Sequence, residues 1–331
     1  MLFSVIISYW RRPREVKLSL DAFNKQCKLQ NLDKLEVIIC DSHSDDQLEL
    51  ILADKDKEFP NLDIKHLQTE NIVAAKRNLG LNSASGEYLI FLDDDCVPAD
   101  NFLLTCQDYI PLLQEKDRVI CGEVRFLESE VARSNYYFYR DSQHPNMKDK
   151  DEYNIDGWSF VSMNYLVKKL TLLRHQIYFD EKFLGYGGED HLYGLKLKEQ
   201  GIQILQGKQR IWHYEFGGTI AGYLKKIYHS SRDGMNILSK LENGRYVREH
   251  KKLNLIETIF TQENLAGRVL LESVTRLIPS TRIQGYLEKT DNNKKLYSRK
   301  LFRLAIIEAY IQGIKNRKYS QESDLKNNWY K

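Results

Sequence analysis

The feature that most constrains this chain is a short apolar run that ends in three consecutive carboxylates. Residues 88–98 read Tyr-Leu-Ile-Phe-Leu-Asp-Asp-Asp-Cys-Val-Pro. A run this short between Gly86 and Pro98 is typical of a buried strand of a parallel sheet, and Pro98 predicts that the strand does not continue. Ligands of open α/β sheets bind beyond the carboxyl ends of the strands, where the aspartates 93–95 would lie.

Three adjacent anions repel one another and therefore require a cation. Oxygen ligands favour a hard cation, and Mg²⁺ or Mn²⁺ usually keeps coordination positions open for substrate phosphates. A solvated acidic turn after a strand is the alternative that this segment leaves open.

Strand and helix patterns alternate through the first 130 residues. Strands are predicted at Phe3–Tyr9, Leu35–Cys40, Asp63–Leu67, residues 88–92 and Val119–Phe126, and helices from Pro13, at Gln47–Phe59 and at Ile72–Ser83. This β-α-β-α order predicts a parallel, nucleotide-binding α/β layer.

Length and composition bound the class of protein. A chain of 331 residues can form one large or two fused α/β domains. No apolar run approaches the ~20 residues of a membrane span, and the start reads as a first strand, not as a signal peptide. Five scattered cysteines predict free thiols in a reducing cytoplasm.

The charge is distributed unevenly along the chain. Residues from 240 onward carry 19 Lys and Arg against 10 Asp and Glu, although the net charge of the whole chain is only +3. No nucleic-acid-binding signature accompanies this charge, so nucleic acid is not expected as a partner. The inner surface of an anionic membrane or the phosphates of a lipid-linked acceptor fit better, and a solvated helical face is the alternative.

A predicted helix at residues 299–318 has one apolar stripe between basic ends. The stripe would pack onto its own domain or lie on anionic lipid, and it comprises Leu301, Leu304, Ile307, Ile311 and Ile314.

Two polar groups fall where a nucleotide would bind. Asp41 closes the second predicted strand, and its carboxylate could accept from a base N–H or a ribose hydroxyl. Lys76 and Arg77 lie on the helix before the carboxylate strand, where an arginine could pair with a diphosphate. Each of these two signals is weak by itself, and helices commonly expose residues such as Lys76 and Arg77.

A glycine-rich loop followed by two acids is the second strong pattern. Gly185, Gly187 and Gly188 allow a backbone to bend sharply and to approach a ligand closely. Glu189 and Asp190 then begin a predicted helix that ends near Gly201, and a carboxylate there stays ionised as a base must. An ordinary acid-capped helix start is the alternative.

Three further features complete the candidate site. His213 follows a strand and could supply an imidazole ligand, although such a histidine is more often structural. The segment Ser134–Gly157 is long for a connection and predicts a lid or acceptor site. Residues 158–164 are predicted to return to strand, with Asn164 as a candidate contact to the donor sugar.

These motifs together resemble the family 2 glycosyltransferases of GT-A fold. The second half of the chain is similar to β-1,4-galactosyltransferases and to bacterial chondroitin polymerase. The matching segments are the first strand Ser4–Ser8, Ala75–Asn78, the DXD motif Leu92–Asp95, Gly185–Asp190 with Tyr186 in place of Trp, and His213. The chain departs from the family after the first strand, where Tyr9-Trp10-Arg11-Arg12 replaces the usual Pro-Thr-Tyr-Asn.

The resemblance implies an α/β GT-A fold with a helical C-terminal extension. It implies a transferase domain over residues 1–235, with a nucleotide-sugar half at 1–130 and an acceptor half at 131–235. A basic helical region would follow at residues 236–331.

The resemblance also implies an inverting, metal-dependent transfer from a nucleotide sugar, most simply a UDP-sugar, to a saccharide or lipid-linked saccharide. The setting would be surface-polysaccharide synthesis in the cytoplasm, with peripheral membrane contact. The implied roles are Asp190 as catalytic base; Glu189, Tyr186, Gly188 and Asn164 on the sugars; Ser8, Asp41, Lys76, Arg77, Asp93 and Asp94 on the nucleotide; and Asp93, Asp95 and His213 on Mn²⁺ or Mg²⁺.

Three other functions share parts of this pattern. A nucleotide-sugar-binding protein without catalysis would not need the base Asp190. A nucleotidyltransferase would need a glycine-rich phosphate loop after the first strand, and Ser8–Pro13 contains no glycine. A retaining transferase is separated from an inverting one only by the stereochemistry of its product.

Overall fold

The computed structural model describes residues 2–32, 34–43, 45–144, 154–260, 265–267, 269 and 280–317. The chain divides into two compact units. The first comprises residues 1–127, 143–181 and 190–215, and the second comprises residues 128–142, 182–189 and 216–331. The units alternate along the chain, whereas the boundaries expected from the sequence, at residues 130 and 235, stay a prediction.

The first unit contains a sheet of eight strands. The strands are β1 (Phe3–Ser8), β2 (Leu35–Asp41), β3 (Leu62–Gln68), β4 (Tyr88–Asp93), β5 (Cys96–Pro98), β6 (Arg118–Arg125), β7 (Asn164–Lys168) and β8 (Gln203–His213). Their order is β3-β2-β1-β4-β7-β6-β8-β5. The predicted parallel layer is confirmed for β1 to β4, but β7 runs antiparallel between β4 and β6, so the whole sheet is mixed.

The helices are numbered in chain order. They are α1 (Pro13–Leu29), α2 (Asp46–Ala53), α3 (Lys55–Glu58), α4 (Val73–Ser83), α5 (Phe102–Asp108), α6 (Ile110–Glu115), α7 (Glu128–Arg133), α8 (Asn135–Asp141), α9 (Lys169–Arg174), α10 (Glu189–Glu199), α11 (Ile220–Arg232), α12 (Gly234–Lys240), α13 (Arg245–Glu249), α14 (Lys251–Phe260), α15 (Ser280–Lys289) and α16 (Arg299–Lys315).

The core of the first unit explains why its strands are continuous apolar runs. Every residue of β2 is buried, and so are the first five residues of β1 and of β4. Helix α1 begins at Pro13, as predicted, and buries Val16, Leu20 and Phe23 on one face. Complete burial of such side chains stabilises a fold by about 1.5–3 kcal/mol each.

Several element boundaries differ from those expected. The predicted helix at residues 47–59 is two helices, α2 and α3, because the backbone leaves helical geometry at Asp54. Strand β4 ends at Asp93, before Pro98, and Pro98 is the last residue of the short edge strand β5, where an edge position tolerates its missing N–H. Residues 157–159 form a 3-10 turn, and strand β7 starts only at Asn164.

The predicted long connection at residues 134–157 contains helix α8. Ser134 caps this helix, accepting from the Tyr137 N–H, and Tyr139 stacks on Phe302 of α16 with ring centroids 4.6 Å apart. Residues 135–141 are therefore helical and not a loop, because a partner about 160 residues away supports the helix, and the role of Ser134–Gly157 as a lid or acceptor site stays a prediction. Residues 145–153 lie outside the described residues.

The apolar stripe predicted on α16 is only partly buried in the second unit. Ile311 and Ile314 are buried, whereas Leu304 is 42% exposed and Ile307 is 46% exposed. The helix is buried along most of its length, but in its first half the buried face carries Phe302 and Ala305 and not the predicted Leu304 and Ile307. Within the described ranges no helix combines the length and apolarity needed to cross a membrane.

All five cysteines are buried and form no disulfide, as predicted.

Candidate active site

The carboxyl ends of the parallel strands bring three predicted site residues to one edge of the sheet. Ser8 of β1 lies opposite Cys40 of β2 and opposite Asp93 of β4, and Asp41 is the last residue of β2. Strands that run in parallel end at the same edge, so alternating β-α units align these side chains. Ser8, Asp41 and Asp93 thus lie at one edge of the sheet, and their predicted contacts with a nucleotide stay predictions.

Ser8 and Asp41 each keep a polar atom available at this edge. Oδ1 of Asp41 accepts from the Ser42 and His43 N–H groups at 2.6 and 3.2 Å. Its Oδ2 and the Ser8 Oγ are buried without a hydrogen bond to any described residue, although Oδ2 lies 3.5 Å from Nε2 of His66. Buried polar atoms are normally paired, so both atoms are candidates to bind a ligand.

Arg77 joins the acidic strand end to the acid of the glycine motif. Its Nη2 donates to Asp93 Oδ1 at 3.0 Å and its Nη1 donates to Asp190 Oδ1 at 3.2 Å. The guanidinium is 4% exposed and lies 4.8 Å from the ring centroid of Phe179. Burial still raises the pKa of Asp93, although the charge of Arg77 opposes this. Two acids 97 residues apart in the chain thus share one counter-charge.

Ser162 orients Asp190, and the sequence did not predict this role. The Ser162 hydroxyl donates to Asp190 Oδ1 at 2.5 Å, and the Ser162 N–H donates to Oδ2 at 3.2 Å. Asp190 is in the first turn of α10 and its side chain is 27% exposed. The sequence around Ser162 gives no sign of this role, because its partner Asp190 lies 28 residues further along the chain.

Asp94 faces the loop that follows β1. It accepts from the Trp10 N–H at 2.6 Å and from the Arg12 guanidinium at 3.0 Å. Burial raises the pKa of Asp94 to about 7, with Arg12 opposing the rise and Asp95 adding to it. Arg12 was not among the predicted site residues, although it belongs to the segment in which the chain departs from the family pattern.

Asp95 and His213 form the pair that the sequence predicted for a metal. His213 Nε2 lies 3.1 Å from Asp95 Oδ2, because strand β5 pairs with β8 and sets Cys96 opposite His213. The other ring nitrogen of His213, Nδ1, is buried without a hydrogen-bond partner among the described residues. Phe126 stacks on the imidazole with ring centroids 4.9 Å apart.

The predicted third ligand, Asp93, faces Arg77, and Arg12 contacts Asp95 Oδ2. Among the described residues no group of three or more His, Cys, Asp or Glu side chains is arranged to hold a metal ion. Asp95 supplies a carboxylate, which suits Mg²⁺ or Mn²⁺, and His213 supplies an imidazole, the side chain that most often binds metals. The residues therefore fit a cation at Asp95 and His213, and Asp93 stays a predicted ligand.

Lys76 is buried beneath the loop after β1. Its ammonium donates to the Tyr9 carbonyl at 2.8 Å and to Asn71 Oδ1 at 3.2 Å, and it lies 5.1 Å from the Trp10 ring. Burial lowers its pKa to about 8, although Asp41 and Asp94 favour the charged form. The Lys76 ammonium thus supports the backbone of the loop after β1, at the edge of the sheet where a nucleotide is predicted to bind.

Asn164 uses its amide within the sheet. Its Nδ2 donates to the carbonyls of Glu123 in β6 and Gln209 in β8, at 2.9 and 3.0 Å. Gly122 makes this approach possible, since a Cβ there would lie 2.2 Å from the amide. Asn164 Oδ1 has no hydrogen-bond partner among the described residues, so a contact of Asn164 with a sugar stays a prediction.

The glycine loop is part of the second unit. Gly188 has a φ of +88°, and a Cβ there would lie 2.8 Å from the backbone of Gly234. A side chain at this position would be strained and would clash, which explains the glycine. Tyr186 is half-buried, as is Glu189 at the start of α10, and their predicted contacts with sugars stay predictions.

A family model matches just under half of the chain. Residues 4–166 match the model described as Glycosyl transferase family 2. This region is a family 2 glycosyltransferase domain. Chondroitin synthase of Escherichia coli is 25% identical over 232 residues, covering 60% of this chain and 32% of that protein. Hyaluronan synthase of Pasteurella multocida is 22% identical over 323 residues, covering 86% of this chain and 31% of that protein. The alignments span about a third of these two relatives.

Solved structures support the fold of the family 2 domain and its helical continuation. TarS of S. aureus, residues 1–349, has a TM-score of 0.53 at 18% identity, covering 97% of this chain and 92% of that chain. The mannosyltransferase PcManGT from Pyrobaculum calidifontis, in complex with GDP-Man and Mn²⁺, has a TM-score of 0.59 at 15% identity, covering 96% and 87%. The chain has the GT-A fold, with a helical C-terminal region.

Proposed function

We propose that this protein transfers a sugar from a UDP-sugar to a hydroxyl of a saccharide or lipid-linked saccharide, with inversion at the anomeric carbon. The observation that carries the proposal is the pairing of Asp93 and Asp190 with the same buried guanidinium of Arg77. It brings a partly exposed carboxylate, a candidate base, together with the acidic strand end at which a nucleotide sugar would bind.

Asp190 would act as the general base. Its carboxylate is oriented by Ser162, so one acceptor hydroxyl could donate to it and lose its proton as the new bond to the anomeric carbon forms. Attack from the face opposite the departing diphosphate inverts the configuration. Proton removal by a positioned base contributes about 10²–10⁴-fold to rate, and alignment of the reactants contributes much of the rest.

The donor would lie along the carboxyl edge of β1, β2 and β4. Ser8 Oγ makes no hydrogen bond to the described residues, and Asp41 Oδ2 is contacted only by His66 Nε2 at 3.5 Å among them, so both could accept from N–H or hydroxyl groups of the nucleoside. TarS has been solved with UDP and with UDP-GlcNAc, and PcManGT with GDP-Man, which supports a nucleotide-sugar donor.

Asp95 and His213 would hold a divalent cation, with Asp93 as a predicted third ligand. When bound, Mn²⁺ or Mg²⁺ would neutralise the negative charge that develops on the leaving diphosphate. The Mn²⁺ in PcManGT supports this part of the proposal.

The second unit would bring the enzyme to its acceptor at the cytoplasmic face of an anionic membrane. Exposed Leu304 and Ile307 adjoin exposed Arg299, Lys300 and Arg303 on α16. Apolar side chains with neighbouring cations suit an interfacial contact. A role in assembling surface polysaccharides follows from this placement and from the resemblance to polysaccharide synthases.

A donor screen tests the proposed function. UDP-, GDP- and dTDP-sugars are incubated with the protein and Mn²⁺, and hydrolysis and binding are measured with and without EDTA. We expect a UDP-sugar to bind and to be slowly hydrolysed only when the cation is present. Failure of every nucleotide sugar to bind in the presence of Mn²⁺ would refute the proposal.

A further inference from the structure

Arg12 covers the two carboxylates that follow strand β4. It contacts Asp95 Oδ2 directly and lies 3.0 Å from Asp94 Oδ1. The carboxylates are nearly buried, with side chains 7% and 6% exposed, whereas the arginine is 35% exposed. The guanidinium therefore lies between these acids and solvent.

The loop that carries Arg12 is held in a strained conformation against the same acids. Arg11 has a φ of +52°, a left-handed conformation that a non-glycine residue rarely adopts. The Trp10 N–H donates to Asp94, which fixes the other side of the turn. Strain of this kind, of order 1–3 kcal/mol, persists only where surrounding contacts enforce it and favours a loop with a second conformation.

The oxygen that Arg12 contacts is also the one that faces His213. Asp95 Oδ2 is the atom that lies 3.1 Å from His213 Nε2. A guanidinium satisfies a carboxylate by charge and by hydrogen bonds, as a divalent cation does by coordination. Two cations on one carboxylate oxygen repel each other, so the arginine and a metal ion would exclude one another there.

We propose that Arg12 is an internal counter-ion that closes the cation site and must leave Asp95 when Mn²⁺ binds. The metal's apparent affinity is then its intrinsic affinity reduced by the fraction of molecules in which Arg12 is released. This inference rests on the metal site of the proposed function, and it adds a residue that sets the metal concentration at which the enzyme works.

Mn²⁺ binding is measured by electron paramagnetic resonance on the whole chain and on Arg12→Gln. We expect the dissociation constant for Mn²⁺ to be about tenfold lower or more in Arg12→Gln than in the wild type. This corresponds to a wild-type protein in which Arg12 is released from Asp95 in about a tenth of the molecules or fewer. Arg14→Gln, which removes the same charge two residues away on α1, is the matched control and should leave the constant unchanged.

Arg12→Lys provides a second variant that keeps the positive charge. A lysine has a single ammonium and does not bridge two carboxylates as a guanidinium does, so its Mn²⁺ affinity should lie between those of the other two proteins. Thermal melts identify any variant that fails to fold, and either variant suffices for the comparison. The Mn²⁺ concentration for half-maximal activity should shift in the same order.

The outcomes separate this inference from the proposed function. Equal Mn²⁺ affinity in the wild type, Arg12→Gln and Arg12→Lys would overturn the counter-ion role and leave the metal site intact. Weaker binding in Arg12→Gln would overturn it too, because Arg12 would then support the site. Absence of Mn²⁺ binding in all folded proteins would overturn the metal site itself.

Discussion

Replacing Asp190 by asparagine separates a general base from a structural acid. The amide has nearly the same size as the carboxylate but does not accept a proton. Oδ1 of the asparagine could still accept from Ser162 Oγ and from Arg77, whereas its NH₂ group would face the Ser162 N–H. Arg77 keeps its bond to Asp93, so the strand end retains its counter-charge.

The structure sets the size of each effect. Loss of base catalysis lowers the transfer rate by about 10²–10⁴-fold. The unpaired Ser162 N–H costs about 1–3 kcal/mol of stability, which a chain of this size should tolerate. Ser162→Ala removes one hydrogen bond to Asp190 and keeps the carboxylate, so it should lower the rate by no more than about tenfold.

The assay compares wild type, Asp190→Asn and Ser162→Ala for sugar transfer, with UDP–Mn²⁺ affinity measured by calorimetry in parallel. We expect Asp190→Asn to lose at least about a hundredfold in rate while nucleotide affinity stays within about threefold, because the base acts only in the chemical step. Transfer at a near-native rate by Asp190→Asn, or equal losses in both variants, would refute the assignment.

Three further predictions follow from the charges of the molecule. Asp95→Ala should abolish the Mn²⁺ dependence of UDP binding in calorimetry, and a dependence that survives would remove Asp95 from the metal site. Hydrogen bonds from Lys65, Ser4 and Ser85 outweigh burial and lower the pKa of Glu36 from 4.5 to about 2. Glu36 should therefore contribute about 3 kcal/mol to the free energy of unfolding above pH 4.5, and this contribution should be lost as the pH falls towards 2. In urea unfolding, the difference in stability between the wild type and Glu36→Gln should narrow on acidification. The protein should float with anionic vesicles at low salt and less so at high salt, because surface attraction is screened within a Debye length, and failure to float at low salt would contradict membrane docking.

Local sequence was sufficient for the elements that build the nucleotide edge. The apolar runs of β1, β2 and β4 predict buried parallel strands, and the polar residues at their ends predict where Ser8, Asp41 and Asp93 meet. These inferences hold because a parallel sheet aligns strand ends whatever the details of packing. The sharp backbone bend before Asp190 could also be predicted from the sequence, because glycine readily adopts the positive φ found at Gly187 and Gly188.

Features that depend on the order of strands in the sheet could not be predicted from the local hydrophobic pattern of the sequence. The antiparallel strand β7 lies between β4 and β6 although it follows both in sequence, and the start of β7 was expected too early. Helix α8 was read as a loop because its partner, Phe302, is remote in the chain. Local propensity carries no information about a neighbour that packing supplies later.

The sequence alone therefore determined the α/β class and the acidic strand end, and it proposed Asp190 as a base and Asp93, Asp95 and His213 as metal ligands. The tertiary structure decided that Arg77 joins Asp93 to Asp190, that Ser162 orients the base, and that Arg12 covers Asp95. The physical reason is the range of the interactions. A strand or helix arises from the periodicity of neighbouring residues, whereas a buried ion pair between positions 77 and 190 exists only once the sheet order has brought two distant segments together.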